Sequence, residues 1–191
     1  MRPAARRPRW RPALPPAQDS SPAPQGFADL RAAAAWYDAW LREAALPLWG
    51  GAGVDPQTGG FREALTWTGG SHDPRYRTRV QARQTFVFAV AEAERLAPCE
   101  PVARRAFERF LGRAERQDGL FMAILDPTGG PIDAAAYLYE HAFLLLALAA
   151  LGEAGPAVAL RARLEAFRHG AGGFREVGDR PFQANAQMHL F

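Results

Sequence analysis

Apolar residues recur every three or four positions along most of the chain after residue 26, which is the spacing expected of α-helices. In the first such segment they share one helix face that ends near Trp49: Leu30, Ala33, Ala34, Tyr37, Trp40, Leu41, Ala44 and Leu48. Five more helices are predicted, over about 77–96, from Pro101, over about 134–151, from Pro156, and from residue 182 or 183. The pattern therefore predicts an all-α domain over 26–191.

The predicted helices alternate between two kinds. The first, third and fifth are amphipathic, as expected of helices with one face in water. The second and fourth contain the runs FVFAVA (86–91) and AFLLLALAAL (142–151), which are apolar on every side. Helices of that kind are expected to pack on all sides, so the alternation predicts outer and inner helices in turn.

The connections between these helices repeat. Residues Gly59–Glu63 and Gly172–Glu176 both read GGFRE, and Asp118–Phe121 (DGLF) is a looser version. The phenylalanines of the three connections are 60 and 53 residues apart, and each step holds one outer helix, one inner helix and a Gly-rich turn. We expect each turn to form a short hairpin. Helix pairs that repeat at this length predict a closed or solenoid-like α/α array.

Each connection precedes an inner helix, so the first turns of the inner helices are expected to meet at one end of the array. Polar side chains there would line a shared pocket. They are Arg79, Gln81 and Arg83 in the first inner helix, Tyr137, Tyr139, Glu140 and His141 in the second, and Asn185, Gln187 and His189 in the third.

Two arginines of this set have different expected roles. Arg83 stands just before the FVFAVA run, where an unpaired guanidinium would be costly, so it is expected either to be ion-paired or, as we prefer, to face a substrate oxygen. Arg79, one turn nearer the rim, is expected to form a structural salt bridge. His141 is expected to be a hydrogen-bonded core histidine beside Glu140.

The remaining candidates favour substrate binding. Asn185 and His189 are four residues apart and share one helix face. At that spacing from an amide, His189 is interpreted as a substrate-binding or acid–base group rather than a core histidine. Tyr139 fits a pocket hydrogen-bond donor and a core aromatic equally well.

Charge and motif content exclude several classes of function. Residues 1–25, a Pro-rich segment predicted to be a disordered tail, carry a net charge of +4, whereas the rest of the chain carries −1, so nucleic acid is not an expected partner. The sequence holds no membrane-length apolar run, no secretory signal and a single cysteine, Cys99, which indicate a cytoplasmic protein. Metal-binding, dinucleotide and GxSxG hydrolase motifs are absent from the sequence.

Several segments together resemble the N-acylglucosamine 2-epimerase family. They are LPLWGGAGVDPQTGGFREAL (46–65), RTRVQARQTFVFAVAE (77–92), LYEHAFLLLALAAL (138–151), GGFREV (172–177) and NAQMHLF (185–191). The resemblance covers roughly residues 27–191, and its most specific elements are QAR (81–83) and NxxMH, from Asn185 to His189. It implies an (α/α)6 barrel, or toroid, of which this chain is about the N-terminal half.

The family implies an isomerase or 2-epimerase that removes the C2 proton of a ring-opened sugar through an enediolate. By match of motif, Arg83 takes the electrostatic role, Asn185 and His189 resemble a substrate-binding pair, with His189 assisting ring opening, and Tyr139 is carried over more weakly. No cofactor or metal is expected. The sugar, and the choice between isomerisation and epimerisation, are left open.

The resemblance also places the family's two principal acid–base histidines in the second half of the barrel, beyond Phe191. We therefore expect the sequence to be a fragment of a longer enzyme. One alternative is a half-barrel that binds sugar or a partner without turnover, and its bare inner-helix faces would favour a homodimer. A glycoside hydrolase would need two pocket carboxylates, and the three candidates are Glu63, Glu140 and Glu176.

Overall fold

The computed structural model describes residues 26–190, so the predicted basic tail lies outside the described residues. The helices are α1 (Leu30–Trp40), α2 (Leu46–Gly50), α3 (Thr78–Ala93), α4 (Glu100–Ala114), α5 (Leu138–Ala150), α6 (Ala154–Leu164) and α7 (Ala184–Leu190). A π-helical turn, Leu41–Ala45, joins α1 to α2, and a 3-10 turn, Glu165–Phe167, follows α6. The predicted all-α class is confirmed. Within residues 26–190, every helix is too short or too polar to cross a membrane.

The helices form two layers. Helix α3 packs against α5 and α4, and α5 packs in turn against α6 and α7, so α3, α5 and α7 form the inner layer and α4 and α6 the outer one. The largest buried cluster lies between the layers and includes Phe107 and Phe110 of α4, Leu144 and Leu148 of α5, and Leu160 and Leu164 of α6. The predicted alternation of outer and inner helices is confirmed for α3 to α7.

A short hairpin precedes each inner helix, as predicted. Single antiparallel bridges close the three hairpins: Val54 with Phe61, Glu115 with Phe121, and Arg168 with Phe174. Their turns use glycines in the left-handed region, where a side chain is disfavoured: Gly59 at φ +75°, Gly119 at φ +73° and Gly172 at φ +102°. The repeated glycines are therefore explained by the turn geometry.

A small antiparallel sheet adds to these connections before α3 and α5. Strand β1 (Tyr76–Arg77) pairs with β2 (Ile124–Leu125), and β2 pairs with β3 (Pro131–Asp133). The fourth predicted helix therefore begins at Leu138 rather than near 134, because the preceding residues are extended.

The prediction that the first helix buries an apolar face is wrong. No residue of α1 is buried, and Tyr37 and Trp40 on its apolar face are 53% and 46% exposed. In α6, Val158 is 67% exposed, and Leu160 supplies the buried face of that helix. Apolar periodicity identifies the apolar side of a helix, but burial also requires an element to pack against it.

The inner helices are not packed on every side. Val87 and Val90 of α3 are 48% and 37% exposed, and Leu146 of α5 is 41% exposed. Val87 and Val90 are four and seven residues beyond Arg83, which places them on the helix face that carries Arg83 at its N-terminal end. One stripe of the inner layer is thus polar at one end and apolar at the other.

Candidate active site

The fourth residue of α3 and of α7 binds the backbone of the hairpin before it. The Gln81 amide accepts a hydrogen bond from Phe61 N–H (2.8 Å) and donates one to the Phe61 carbonyl (2.6 Å). Gln187 forms the same pair of bonds with Phe174. Both side-chain amides therefore bind hairpin backbone rather than line a pocket, so the prediction that they line the pocket is wrong. Gly60 leaves room for the amide, since a Cβ there would lie 3.2 Å from the Gln81 Oε1.

In α5 the equivalent fourth residue is His141. Its Nε2 accepts from Phe121 N–H at 3.0 Å, and its Nδ1 lies 2.7 Å from the Tyr137 carbonyl, to which it donates as a neutral ring. The side chain is fully buried, and burial lowers the pKa of His141. His141 is therefore the core histidine that was predicted, although its partners are backbone groups rather than Glu140.

Carboxylates bind the first turns of the inner helices. Glu63 accepts from Arg77 N–H (2.5 Å) and from the Arg77 Nε (2.6 Å) at the start of α3. Glu176 accepts from the backbone N–H groups of Leu138 (2.8 Å) and Tyr139 (3.2 Å) at the start of α5. The Glu176 carboxylate thus satisfies helix N–H groups that lack an internal partner and interacts favourably with the helix dipole, whereas Glu63 binds the residue just before α3.

Glu140 connects two inner helices at the same end. Its carboxylate, only 1% exposed, accepts from Arg79 N–H (2.5 Å) and from the Arg79 guanidinium. Burial raises the pKa of Glu140, and the charge and hydrogen bonds of Arg79 act in the opposite direction. The structural salt bridge predicted for Arg79 is confirmed.

An open cleft of about 270 Å³ lies where α5 and α7 begin. It is lined by Arg79, Tyr137, Tyr139, Glu140, Glu176, Gln183, Asn185 and Ala186. Two of the sequence-predicted site residues, Tyr139 and Asn185, therefore share one cleft. Of the lining carboxylates, Glu140 and Glu176 are both engaged by helix N–H groups, which leaves neither free for hydrolytic chemistry.

The other two predicted residues, Arg83 and His189, both contact Tyr139. The Arg83 Nη2 donates to the Tyr139 hydroxyl at 2.6 Å, and the centroids of the Tyr139 and His189 rings are 5.3 Å apart. Phe143 completes the group, with its ring centroid 4.0 Å from the Arg83 guanidinium carbon and 4.9 Å from that of His189. We call Arg83, Tyr139, Phe143 and His189 the aromatic–cation cluster.

Arg83 is exposed, contrary to the expectation of a costly buried position. Within residues 26–190 it makes no salt bridge. In the same residues its contacts are with the neutral side chains of Tyr139 and Phe143, so its charge remains available to an oxygen of a ligand.

Helix position explains how these side chains come together. The second residues of α3, α5 and α7 are Arg79, Tyr139 and Asn185, and the sixth residues are Arg83, Phe143 and His189. Sequence reasoning overlooked Phe143 because it stands in an apolar run. Phe143 stands at the same helix position as Arg83 and His189, and this shared position was the signal that could have identified it.

Known proteins of one family are similar to most of this chain. The profile of the N-acylglucosamine 2-epimerase (GlcNAc 2-epimerase) family matches residues 59–191. A curated relative from Rhizobium meliloti (strain 1021), named mannose-6-phosphate isomerase, is 36% identical over 165 residues, which are 80% of this chain and 43% of the relative.

Solved structures show the same fold. Cellobiose 2-epimerase from Spirochaeta thermophila DSM 6192 matches with a TM-score of 0.71 and 25% identity, over 84% of this chain and 47% of that enzyme. Cellobiose 2-epimerase from Bacillus thermoamylovorans B4167 matches with a TM-score of 0.74 and 18% identity, over 84% and 49%.

The chain spans about half the length of the relatives it matches, and its helix pairs form about half of the (α/α)6 barrel of those epimerases. The family profile covers most of the chain, including the hairpin at Phe61, α3, α5 and the cleft. The chain therefore belongs to the N-acylglucosamine 2-epimerase family.

Proposed function

We propose that this chain supplies the sugar-binding side of a 2-epimerase or aldose–ketose isomerase that works on a ring-opened sugar. The observation that carries the proposal is the aromatic–cation cluster beside the cleft, where Arg83, with no carboxylate partner in residues 26–190, binds the Tyr139 hydroxyl and the Tyr139 ring lies against His189. Family membership supports the reaction class.

The chemistry asks for a fixed positive charge. Removal of the proton from C2 of an open-chain sugar turns the carbonyl into an enediolate, and negative charge develops on its oxygen. A guanidinium already oriented toward that oxygen stabilises the transition state more than the substrate. Arg83 is suited to this role because the Tyr139 hydroxyl and the Phe143 ring hold it in place.

Three other side chains take binding roles in the proposal. The Tyr139 hydroxyl accepts from Arg83 and retains its own O–H to donate to a sugar oxygen. Asn185, in the cleft, offers an amide donor and acceptor to sugar hydroxyls. The exposed His189 imidazole exchanges protons with the sugar during ring opening, taking the O1 proton and returning one to the ring oxygen.

The names of similar proteins and of the family define the substrates to test: mannose 6-phosphate, mannose, cellobiose and N-acetylglucosamine. Each sugar is incubated with the chain in D2O. Proton NMR follows loss of the C2 proton signal and the appearance of product, and saturation-transfer NMR measures binding separately.

We expect at least one sugar to bind, and Arg83→Leu to weaken that binding at least tenfold, because a hydrogen bond to a charged group contributes about 1.5–3 kcal/mol and a tenfold change corresponds to about 1.4 kcal/mol. Arg105→Leu, at an exposed arginine of α4, is the matched control and should bind as the unmodified chain does. Proton exchange at C2 would establish turnover. Binding without exchange would favour the non-catalytic reading, and no binding of any of the four sugars would contradict the proposal.

A further inference from the structure

Phe143 lies at the centre of the aromatic–cation cluster, although its apolar side chain has no chemistry of its own. It is 8% exposed and belongs to the main buried cluster. Its ring contacts Arg83 (4.0 Å), His189 (4.9 Å, tilted by 46°) and Tyr139 (5.1 Å, edge to face at 76°). It therefore contacts the other three members of the cluster.

The contact with Arg83 is the closest of the cation–ring contacts within residues 26–190, the others being 4.8 Å or longer. A guanidinium is attracted to the negative face of an aromatic ring, and edge-to-face and tilted ring pairs are favourable. A free arginine side chain on a protein surface samples many rotamers. A ring fixed in the core restricts that freedom without neutralising the charge.

Phe143 differs in burial from Arg83 and His189, its two exposed neighbours. Arg83 and His189 are both exposed, and His189 belongs to the seven-residue α7. Phe143 is in the middle of α5, where it packs with Leu144 and Ala147 in the same buried cluster. The apolar ring is thus anchored in the core, and the groups that would meet the sugar lie against it.

We propose that Phe143 is a positioning residue, whose ring sets the placement of the Arg83 guanidinium and the His189 imidazole before a sugar binds. The relevance to sugar rests on the function proposed above. The positioning itself is a property of the sugar-free chain and is measured there.

The test uses Phe143→Leu, which keeps an apolar side chain but removes the ring. In the sugar-free chain, two-dimensional NMR records the His189 ring signals and the Arg83 Nε–H signal, assigned by their loss in His189→Gln and Arg83→Lys. Since an aromatic ring shifts the resonances of atoms over its face, both sets of signals should move toward unperturbed positions. Phe143→Tyr, which keeps the ring, should restore them.

Phe110→Leu is the matched control, because Phe110 is a buried phenylalanine of the same cluster but belongs to the outer helix α4. It should lower stability without moving the Arg83 and His189 signals. Sugar affinity should fall roughly twofold to thirtyfold in Phe143→Leu, which corresponds to the usual strength of a cation–ring contact, and remain unchanged in Phe110→Leu.

The proposal is overturned if Phe143→Leu leaves the Arg83 and His189 signals where Phe110→Leu leaves them, or if Phe143→Tyr fails to restore them in a folded protein. Failure of the proposed function gives a different result. In that case no sugar binds the unmodified chain, while the signals still move in Phe143→Leu.

Discussion

At the scale of single residues, the charged groups around the cleft divide into those that the fold uses and those it leaves free. The carboxylates of Glu140 and Glu176 each accept hydrogen bonds from helix N–H groups, and Arg79 is paired with Glu140. Glycoside hydrolysis needs two carboxyl groups free to act on the substrate, so this site does not fit that reaction. Within residues 26–190, the Arg83 guanidinium makes no salt bridge and so can bind a ligand oxygen.

The Arg79–Glu140 pair leads to a prediction of stability. Replacing Arg79 with leucine leaves the buried Glu140 carboxylate without its countercharge, and loss of one partner of a buried pair costs about 3 kcal/mol. Urea unfolding followed by circular dichroism should show this decrease in the free energy of unfolding for Arg79→Leu. The exposed Arg105→Leu should change it by less than about 0.5 kcal/mol. Equal effects in the two variants would show that the pair is not structural.

At the scale of elements, the same side-chain-to-backbone hydrogen bond joins each of the three inner helices to the hairpin before it. Position four carries Gln81, His141 and Gln187, and each binds the main chain of the phenylalanine in the preceding hairpin. An amide and a neutral imidazole can both accept from a backbone N–H, which explains why the two residue types occur at equivalent positions. This hydrogen bond fixes the start of each inner helix. It thereby also fixes the second and sixth residues of the helix, which form the site.

Because His141 takes the position that glutamine takes in α3 and α7, the free energy of unfolding is predicted to depend on pH through His141, and a glutamine at this position should reduce that dependence. Burial lowers the pKa of His141 from its ordinary value of 6.5, so the unfolded chain binds a proton at a higher pH than the folded chain does. The stability that neutral His141 contributes is complete above pH 6.5 and is lost as the pH falls toward the folded pKa, by at most about 1.4 kcal/mol per pH unit.

His141→Gln, which places at this position the residue found in α3 and α7, should fold and show a smaller loss of stability below pH 6.5. His141→Leu should cost about 1–3 kcal/mol at neutral pH, because it leaves the buried Phe121 N–H without a partner. Urea unfolding at several pH values separates the two effects. An unchanged pH dependence in His141→Gln would contradict this account.

At the scale of the whole molecule, the described chain leaves apolar surface on its inner layer. Val87, Val90 and Leu146 are each more than one third exposed, although they lie in the inner helices α3 and α5. Apolar surface of this kind favours association. We therefore expect the 191-residue chain to self-associate, and a homodimer remains a prediction.

The double substitution of Val87 and Leu146 by glutamine should weaken this association, because it removes exposed apolar area from the inner layer. Val158→Gln is the matched control, since Val158 is 67% exposed on the outer helix α6 and should have no effect. Sedimentation velocity over a range of concentrations measures the outcome. A chain that is monomeric at every concentration would refute the expectation.

The sequence by itself determined the class of the fold and its repeat. Apolar periodicity and the recurrence of GGFRE depend only on local spacing, so they predicted the inner and outer helices and the three hairpins. The spacing of Asn185 and His189 likewise placed both on one helix face, since that relation holds within any single helix.

Only the tertiary structure decided which polar residues meet and which apolar residues are covered. Gln81 and Gln187 look like pocket residues in sequence, but their amides bind hairpin backbone that lies 20 and 13 residues away along the chain. Phe143 looks like ordinary core, yet it contacts Arg83 and His189 from two other helices. The exposure of Tyr37 and Val87 could not be predicted from the sequence either. Periodicity reports the faces of one helix, whereas contact and burial depend on what packs against those faces.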